Sequence, residues 1–239
     1  MIAAFSLLER AFVDLKIAYD QELLLKFENY MQLVLDWNEK INLTSITDEK
    51  DFVTKHFIDS LQCAEHPAVA KAKKIIDIGT GAGFPGIPLA LIYPDIEFVL
   101  MDSINKKLIV LKEIKTKLGL PNVTLVHARA EDLGHQKQHR GNYDICVSRA
   151  VAKLQVLSEY CLPFVKREGY FIAYKGSDIN QEVADGQRAI EVLGGRIERI
   201  SPFAMNDMEM GHQLIYIKKE RDTPERYPRK AGIPQKEPL

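Results

Sequence analysis

The stretch from Lys74 to Leu91, KIIDIGTGAGFPGIPLAL, constrains the fold of this chain more than any other part of it. It opens with a short run of β-branched apolar residues, which is typical of a buried parallel strand. Gly79, Gly81 and Gly83 follow at alternate positions, and prolines suited to a first helical turn come next. A strand, a glycine turn and a helix in this order predict a nucleotide site, because such glycines leave main-chain N–H groups open to a ligand.

Strand-like and helix-like patterns alternate after this turn, whereas the chain before it has helical spacing. Strands are predicted at 74–78, 97–101, 123–127, 143–148, 169–175, 194–200 and 213–218, and helices between them at 105–118, 154–162 and 179–193. Repeated β–α units predict an α/β fold with a doubly wound, mostly parallel sheet. We expect an N-terminal helical extension (1–66) packed on a core (67–220), followed by a basic tail (221–239).

Composition excludes several classes of protein. The net charge is −1, so a nucleic-acid partner would have to use a local basic surface. No stretch approaches the ~20 apolar residues of a membrane helix, and the acids in the first apolar run are unlike a signal peptide. Cys63, Cys146 and Cys161 lack the spacing of a zinc site, so we expect no metal. A reducing, cytoplasmic compartment is the natural interpretation.

Two cofactors compete for the glycine turn. Gly81, Gly83 and Gly86 form a G-x-G-x-x-G pattern with Asp102 further on, as in dinucleotide folds that bind NAD. However, Asp77 stands two residues before the first glycine, where a carboxylate repels a pyrophosphate but attracts the ammonium of S-adenosylmethionine. The pattern favours a methyltransferase, and an NAD-dependent oxidoreductase is the alternative.

Acidic residues end three successive predicted strands. Asp77 and Asp102 close the first two, and Glu131 follows the third. Ligands of open α/β sheets bind at this carboxyl edge. Asp102 suits ribose hydroxyls, and Glu131 offers an acceptor for the amino group of adenine.

His56 lies on the apolar face of a predicted helix, within the string KHFIDS. A histidine there is more often a core residue than a functional one. The neighbouring Asp59 and Ser60, also polar on an apolar helix, shift the interpretation a little towards function.

Longer strings carry a family resemblance that runs nearly end to end. The chain resembles the bacterial RsmG (GidB) family, guanine-N7 methyltransferases of 16S ribosomal RNA. The strings are WNEKINLTSI at 37–46, KHFIDS at 55–60, DIGTGAGFPGIPLA at 77–90, DSINKK at 102–107, ARAED at 128–132, SRAVAKL at 148–154 and YPRKAGIPQKEPL at 227–239. The glycine motif is shared with many methyltransferases, whereas the GFPG, ARAE, SRAVA and tail strings are far more specific.

The resemblance implies a seven-stranded, Rossmann-like class I methyltransferase that binds S-adenosyl-L-methionine. It implies cofactor contacts at the glycine turn, at ARAE and at the SRA arginine, which here are Gly79, Phe84, Ala130, Glu131 and Arg149. The implied target is guanine 527 of 16S rRNA. The substrate can be naked RNA, the small ribosomal subunit or an assembly intermediate. A methyltransferase acting on another RNA, a protein or a small molecule is the alternative. We expect a monomer.

Guanine N7 carries an in-plane lone pair and no proton, so its methylation needs no general base. Catalysis should then depend on aligning the reacting atoms and excluding water. We therefore give Arg149 a positioning role and no role as a base.

The tail from Arg226 to Lys236 has four basic residues and no acid. Its prolines disfavour helix, which predicts an extended arm near the catalytic face. We expect the RNA contacts at His56, Arg226, Arg229, Lys230 and Lys236, the tail cations binding phosphates without reading sequence.

Overall fold

The computed structural model describes residues 4–205 and 208–239, with side chains described outside 203–210. A seven-stranded sheet has the order β3-β2-β1-β4-β5-β7-β6. Its strands are β1 (Lys74–Ile78), β2 (Glu97–Asp102), β3 (Val123–His127), β4 (Tyr143–Arg149), β5 (Val165–Lys175), β6 (Gly195–Met205) and β7 (Met208–Lys219). The first five strands are parallel, and β7 runs antiparallel to both of its neighbours.

Helices precede the sheet and connect its strands. They are α1 (Phe5–Asp14), α2 (Gln21–Asn38), α3 (Glu49–Phe52), α4 (Asp59–Leu61), α5 (Pro67–Ala70), α6 (Gly86–Ile92), α7 (Asn105–Leu118), α8 (Ala130–Leu133), α9 (Leu154–Cys161), α10 (Asn180–Val192) and α11 (Ile233–Lys236). A π-helical turn, Val53–Ile58, joins α3 to α4, and 3-10 turns occupy Gln62–Glu65 and Leu162–Phe164. In the part of the chain that the structure describes, no helix is long and apolar enough to cross a membrane.

The predicted α/β class and mostly parallel sheet are confirmed, and β3 and α7 have the predicted bounds. The largest difference in the parallel strands is β5, which begins at Val165 rather than at 169. Near the start of this strand, residues Lys166–Glu168 are exposed and charged. Hydrophobic residues recur only after them, so the sequence pattern misses the first residues of the strand.

Two hydrophobic clusters cover the two faces of the sheet. One contains aromatic side chains of the N-terminal helices, including Phe12 and Phe27, together with Ile75 and Phe98 of the sheet. The other lies under α9 and α10 on the opposite face. The N-terminal helices thus pack directly on the sheet through a shared core, while the boundaries of the three predicted segments stay a prediction.

The order of the strands reverses at β1, which lies between β2 and β4. Connections leave β1 and β4 towards opposite sides of the sheet there, which opens a crevice at the carboxyl ends of the strands. The glycine turn follows β1 directly, so the fold places it in this crevice.

Candidate active site

Asp77 is fully buried beneath the glycine turn. Its Oδ2 accepts hydrogen bonds from Thr80 Oγ1 at 2.7 Å and from the Gly86 amide at 2.9 Å. Burial raises the pKa of this carboxyl to about 7, against the opposing effect of its hydrogen bonds. Asp77 lines neither of the cavities described below. Asp77 thus holds the turn in shape, and its direct contact with the cofactor stays a prediction.

The three glycines of the turn have positive φ angles of 72°, 62° and 106° at Gly79, Gly81 and Gly83. A Cβ on Gly81 would have only the Gly79 carbonyl nearby, at 4.0 Å, and would enter open space. A Cβ on Gly83 would instead lie 2.6 Å from both Ile87 Cγ1 and Tyr30 Oη. Gly79 and Gly81 line the larger of the two cavities described below, whereas Gly83 lines neither and packs closely against Ile87 and Tyr30. The cofactor contact of Gly83 stays a prediction.

Asp102, at the end of β2, ties the turn to its neighbouring strand. Its Oδ2 accepts from the Gly81 amide at 2.9 Å, and its Oδ1 accepts from the Ile104 amide at 2.8 Å. A carboxylate oxygen has a second lone pair, so these bonds leave capacity for a ribose hydroxyl. The cofactor contact of Asp102 stays a prediction.

Two cavities meet at Gly79, which lines both of them. The larger, of about 450 Å³, contains Gly81, Phe84 and Arg149. The smaller, of about 240 Å³, contains Ala130 and Glu131. The structure therefore brings together, around one turn, six of the residues that the family resemblance or the glycine pattern indicated.

The smaller cavity lies beyond the ends of β2 and β3. Met101 and Ser103 line one side of it, and Ala130 and Glu131 line another. Glu131 is buried, and its Oε1 accepts a hydrogen bond from the Gly232 amide at 3.1 Å. An acidic acceptor beside a space of this size suits the amino group of a base.

Arg149, at the end of β4, is held in place in the larger cavity. Its Nη1 donates to Asp59 Oδ2 at 2.6 Å and to the Lys55 carbonyl at 3.0 Å. The guanidinium also lies 5.1 Å from the centre of the Phe84 ring. Its side chain is 15% exposed, and that of Asp59 is 3% exposed. The cation is thus paired, oriented and still open to the cavity.

His56 is neutral in this arrangement. Its Nδ1 lies 3.2 Å from Arg149 Nη2, a group that only donates, so Nδ1 accepts and Nε2 donates to Thr44 Oγ1 at 2.7 Å. Burial, and then the Arg149 charge, lower the pKa of His56 to about 3. The ring stacks on Phe84 at 4.4 Å between centroids. A π-helical turn carries His56, an irregularity that is frequent at functional sites.

His212, on β7, was not predicted to belong to the site. Its Nδ1 lies 2.9 Å from Asp59 Oδ1, on the side of the carboxylate opposite Arg149. The hydrogen bond to Asp59 raises the pKa of His212, against the effect of its partial burial. Burial alone would raise the pKa of Asp59, yet hydrogen bonds from His212 and Arg149 bring it below its ordinary value. Asp59 is therefore the acid shared by two basic groups.

The C-terminal segment is folded onto the body and is not the extended arm that the prolines predicted. Arg229 donates from Nε and Nη2 to the carboxylate of Glu159, a side chain that is 1% exposed. This ion pair holds the Arg229 guanidinium against the body of the protein, and its phosphate contact stays a prediction. Arg226, Lys230 and Lys236 are exposed.

Arg140 also fastens this segment. Its two terminal nitrogens donate to the carbonyls of Thr223, Pro224 and Tyr227 at 2.7–3.1 Å. The segment continues to α11, and Gly232 and Gln235 line the smaller cavity. Nothing in the local sequence placed these two residues there, because the contact spans about half of the chain.

A family described as rRNA small subunit methyltransferase G matches residues 23–210. The chain belongs to this family. The resemblance inferred from the sequence strings is thereby confirmed, and so is the expectation of an S-adenosylmethionine-dependent methyltransferase. The alternative of an NAD-dependent oxidoreductase is set aside.

Curated relatives match almost the whole chain. The ribosomal RNA small subunit methyltransferase G of Desulforamulus reducens is 49% identical over 232 residues, 97% of each chain. That of Clostridium perfringens is 44% identical over 235 residues, 98% of each chain.

Solved structures of lower identity share the fold. A putative O-methyltransferase from Klebsiella pneumoniae aligns with a TM-score of 0.55 and 15% identity, over 84% of this chain and 92% of that one. An S-adenosylmethionine-dependent O-methyltransferase from Thermotoga maritima aligns with a TM-score of 0.55 and 17% identity, over 80% and 73%. These likenesses support the Rossmann-like class I fold.

Proposed function

We propose that this chain transfers a methyl group from S-adenosylmethionine to N7 of a guanine in 16S ribosomal RNA, at position 527 by family resemblance. The observation that carries the proposal is the pair of cavities joined at Gly79. One has an acidic acceptor for a base at Glu131, and the other has an oriented cation at Arg149 beside the Phe84 ring.

The residues present fit the cofactor. Sites for drug-sized ligands measure about 300–1,000 Å³. The smaller cavity, at about 240 Å³, is below that range and suits the adenine end alone. The larger, at about 450 Å³, has room for the methionine end beside an incoming base. Gly81 lines the larger cavity, and a Cβ at this position would enter open space.

S-adenosylmethionine supplies, when bound, an electrophilic methyl group on a sulfonium sulfur. The task of the chain is to align guanine N7 with that group and to exclude water. No residue has to remove a proton, because N7 has none. A buried His56 with a pKa of about 3 is consistent with this, since it is a neutral, rigid wall of the site.

Arg149 is suited to positioning. Its planar fork can bind a carboxylate, a phosphate or the edge of guanine, and Asp59 fixes its direction. A positive charge moves from the sulfonium to the purine during the reaction, so an unpaired cation nearby would oppose it. The Asp59 carboxylate compensates the Arg149 charge and removes this penalty.

RNA phosphates would meet cations around the two cavities. Lys55 and Lys107 line the larger cavity, and Arg226, Lys230 and Lys236 lie exposed on the C-terminal segment. Phosphate contacts of this kind fix the register of RNA and carry no sequence information. His56 is too buried for a phosphate contact, so we assign it to the wall behind the target base instead.

We further propose that the protein acts as a cytoplasmic monomer and needs no metal. All three cysteines are free and buried, which suits a reducing compartment. Among residues 4–205 and 208–239, no group of three or more potential metal ligands occurs.

The test is methyl transfer in vitro with the purified protein and labelled cofactor. Naked 16S RNA, isolated small subunits and an assembly intermediate are the three substrates, and a small-molecule or protein acceptor is the comparison. We expect N7-methylguanine in 16S RNA, and its loss from the RNA of a strain that lacks the gene. Methylation of another base, or unchanged N7-methylguanine in that strain, would contradict the proposal.

A further inference from the structure

The C-terminal segment, Thr223–Leu239, borders the smaller cavity. Gly232 and Gln235 line it together with Met101 and Ser103. Gly232 directly precedes α11 and has a left-handed backbone with φ 83°, and Gln235 lies within this helix and is exposed. The segment thus borders the cavity on one side and solvent on the other.

This wall is fixed in place. Glu159 is fully buried and receives bonds from the Arg229 amide, at 2.7 Å, and from the Arg229 guanidinium. His135 Nε2 lies 2.7 Å from the Pro228 carbonyl, and Tyr227 is buried. A frayed terminus has none of these features. The segment therefore contributes a preformed surface to the cavity.

The segment also contacts the acid that would read the base. The Gly232 amide donates to Glu131 Oε1, and the Tyr160 hydroxyl lies beside the same carboxylate, whose remaining lone pairs can accept from a ligand. The amide of Gln235 has two donors and one acceptor, and no partner for it occurs among the described residues. An adenine whose amino group donates to Glu131 presents ring nitrogens on either side of that group, and each of them accepts a hydrogen bond.

We propose that Thr223–Leu239 is the outer wall of the adenine subsite and that Gln235 donates a hydrogen bond to the base. The inference rests on the proposed function, since it assigns the adenine end of the cofactor to the smaller cavity. The C-terminal segment would then take part in cofactor binding, whereas the basic residues in its sequence indicated only RNA binding.

The experiment is calorimetric titration of the full-length protein with S-adenosylhomocysteine and with 5′-methylthioadenosine, which share the adenosyl group. Gln235→Ala should weaken both by about threefold to tenfold, the range for one hydrogen bond. Truncation after Lys230 keeps the Arg229–Glu159 pair, removes Gly232 and Gln235, and should weaken both by more than tenfold. Gln187→Ala, an exposed glutamine on α10, is the matched control and should change neither affinity.

The outcomes separate the two proposals. This inference alone is overturned if Gln235→Ala and the truncated protein both bind the two probes with unchanged affinity, provided that the truncated protein has a native circular dichroism spectrum. The proposed function is not affected by that result. Loss of RNA methylation with unchanged probe affinity overturns it too, because the segment would then serve only RNA. A wild-type protein that binds neither probe overturns the proposed function together with the inference.

Discussion

Replacing Asp59 by asparagine tests the centre of the site. Asp59 is buried and has Arg149 on one oxygen and His212 on the other. Asparagine keeps the shape and one acceptor but removes the charge. Breaking a buried ion pair costs about 3–5 kcal/mol. Arg149 keeps its bonds to the Lys55 carbonyl and to His56, so we expect the lower end, about 3 kcal/mol.

The loss should depend on pH. The pKa of Asp59 is lowered on folding, so its contribution is present above the ordinary value of about 3.9 and disappears as the pH falls through the folded-state pKa. The pKa of His212 is raised, so its contribution is fully present below about 6.5 and disappears as the pH rises through its folded-state pKa. The difference between wild type and Asp59→Asn should therefore be largest between about pH 4 and 6.5.

The assay is chemical denaturation at pH 5.5 and 8.5, with thermal unfolding alongside. About 3 kcal/mol corresponds to a fall in Tm of about 6–12 °C for a domain of this size. Methyl transfer should also fall, by about 10- to 100-fold, because Arg149 loses its orientation. Asp51→Asn is the matched control, since its ion pair with Lys55 is exposed and worth at most about 1 kcal/mol.

Two results would refute this reasoning. If Asp59→Asn is no less stable than Asp51→Asn, the carboxylate does not hold Arg149 by a buried ion pair. If the loss is equal at pH 5.5 and 8.5, His212 takes no part in the network.

Three further predictions concern the glycine turn and the adenine subsite. Gly83→Ala should lower the free energy of unfolding by about 2 kcal/mol or more, because the new Cβ would meet Ile87 and Tyr30. Gly119→Ala is the control, since Gly119 also has a positive φ but faces open space, and chemical denaturation should show a smaller loss of stability for it. The raised pKa of Asp77, about 7, makes wild-type stability fall relative to Asp77→Asn as the pH rises from about 4 to 7; parallel denaturation profiles of the two proteins would contradict this. Glu131→Gln should weaken calorimetric binding of S-adenosylhomocysteine by about 1–3 kcal/mol, and affinity within error of wild type would show that the charge is not used.

Local sequence was sufficient for the α/β class and for the place of the candidate site. Strand and helix periods are local properties, and parallel strands meet at one edge, so the glycine turn and Glu131 had to lie close together. The strings shared with the family added Phe84, Ala130 and Arg149. The cavities contain all five of the residues or motifs so indicated.

The tertiary structure decided what each polar group does. Asp77, Gly79, Gly81 and Gly83 form one motif, yet packing turns Asp77 and Gly83 inward and leaves the other two on the cavity. No spacing rule separates these roles, because burial depends on what α2 and α6 place behind the turn.

Contacts between distant parts of the chain decided the rest. His212 is 153 residues from Asp59, and Gly232 is 101 residues from Glu131. The first contact exists because β7 returns antiparallel beside β5, and the second because Arg140 and Glu159 bind the C-terminal segment to the body. Local propensity contains no information on such pairings, since they follow from the order of the strands and from complementary charges that meet only after the chain has folded.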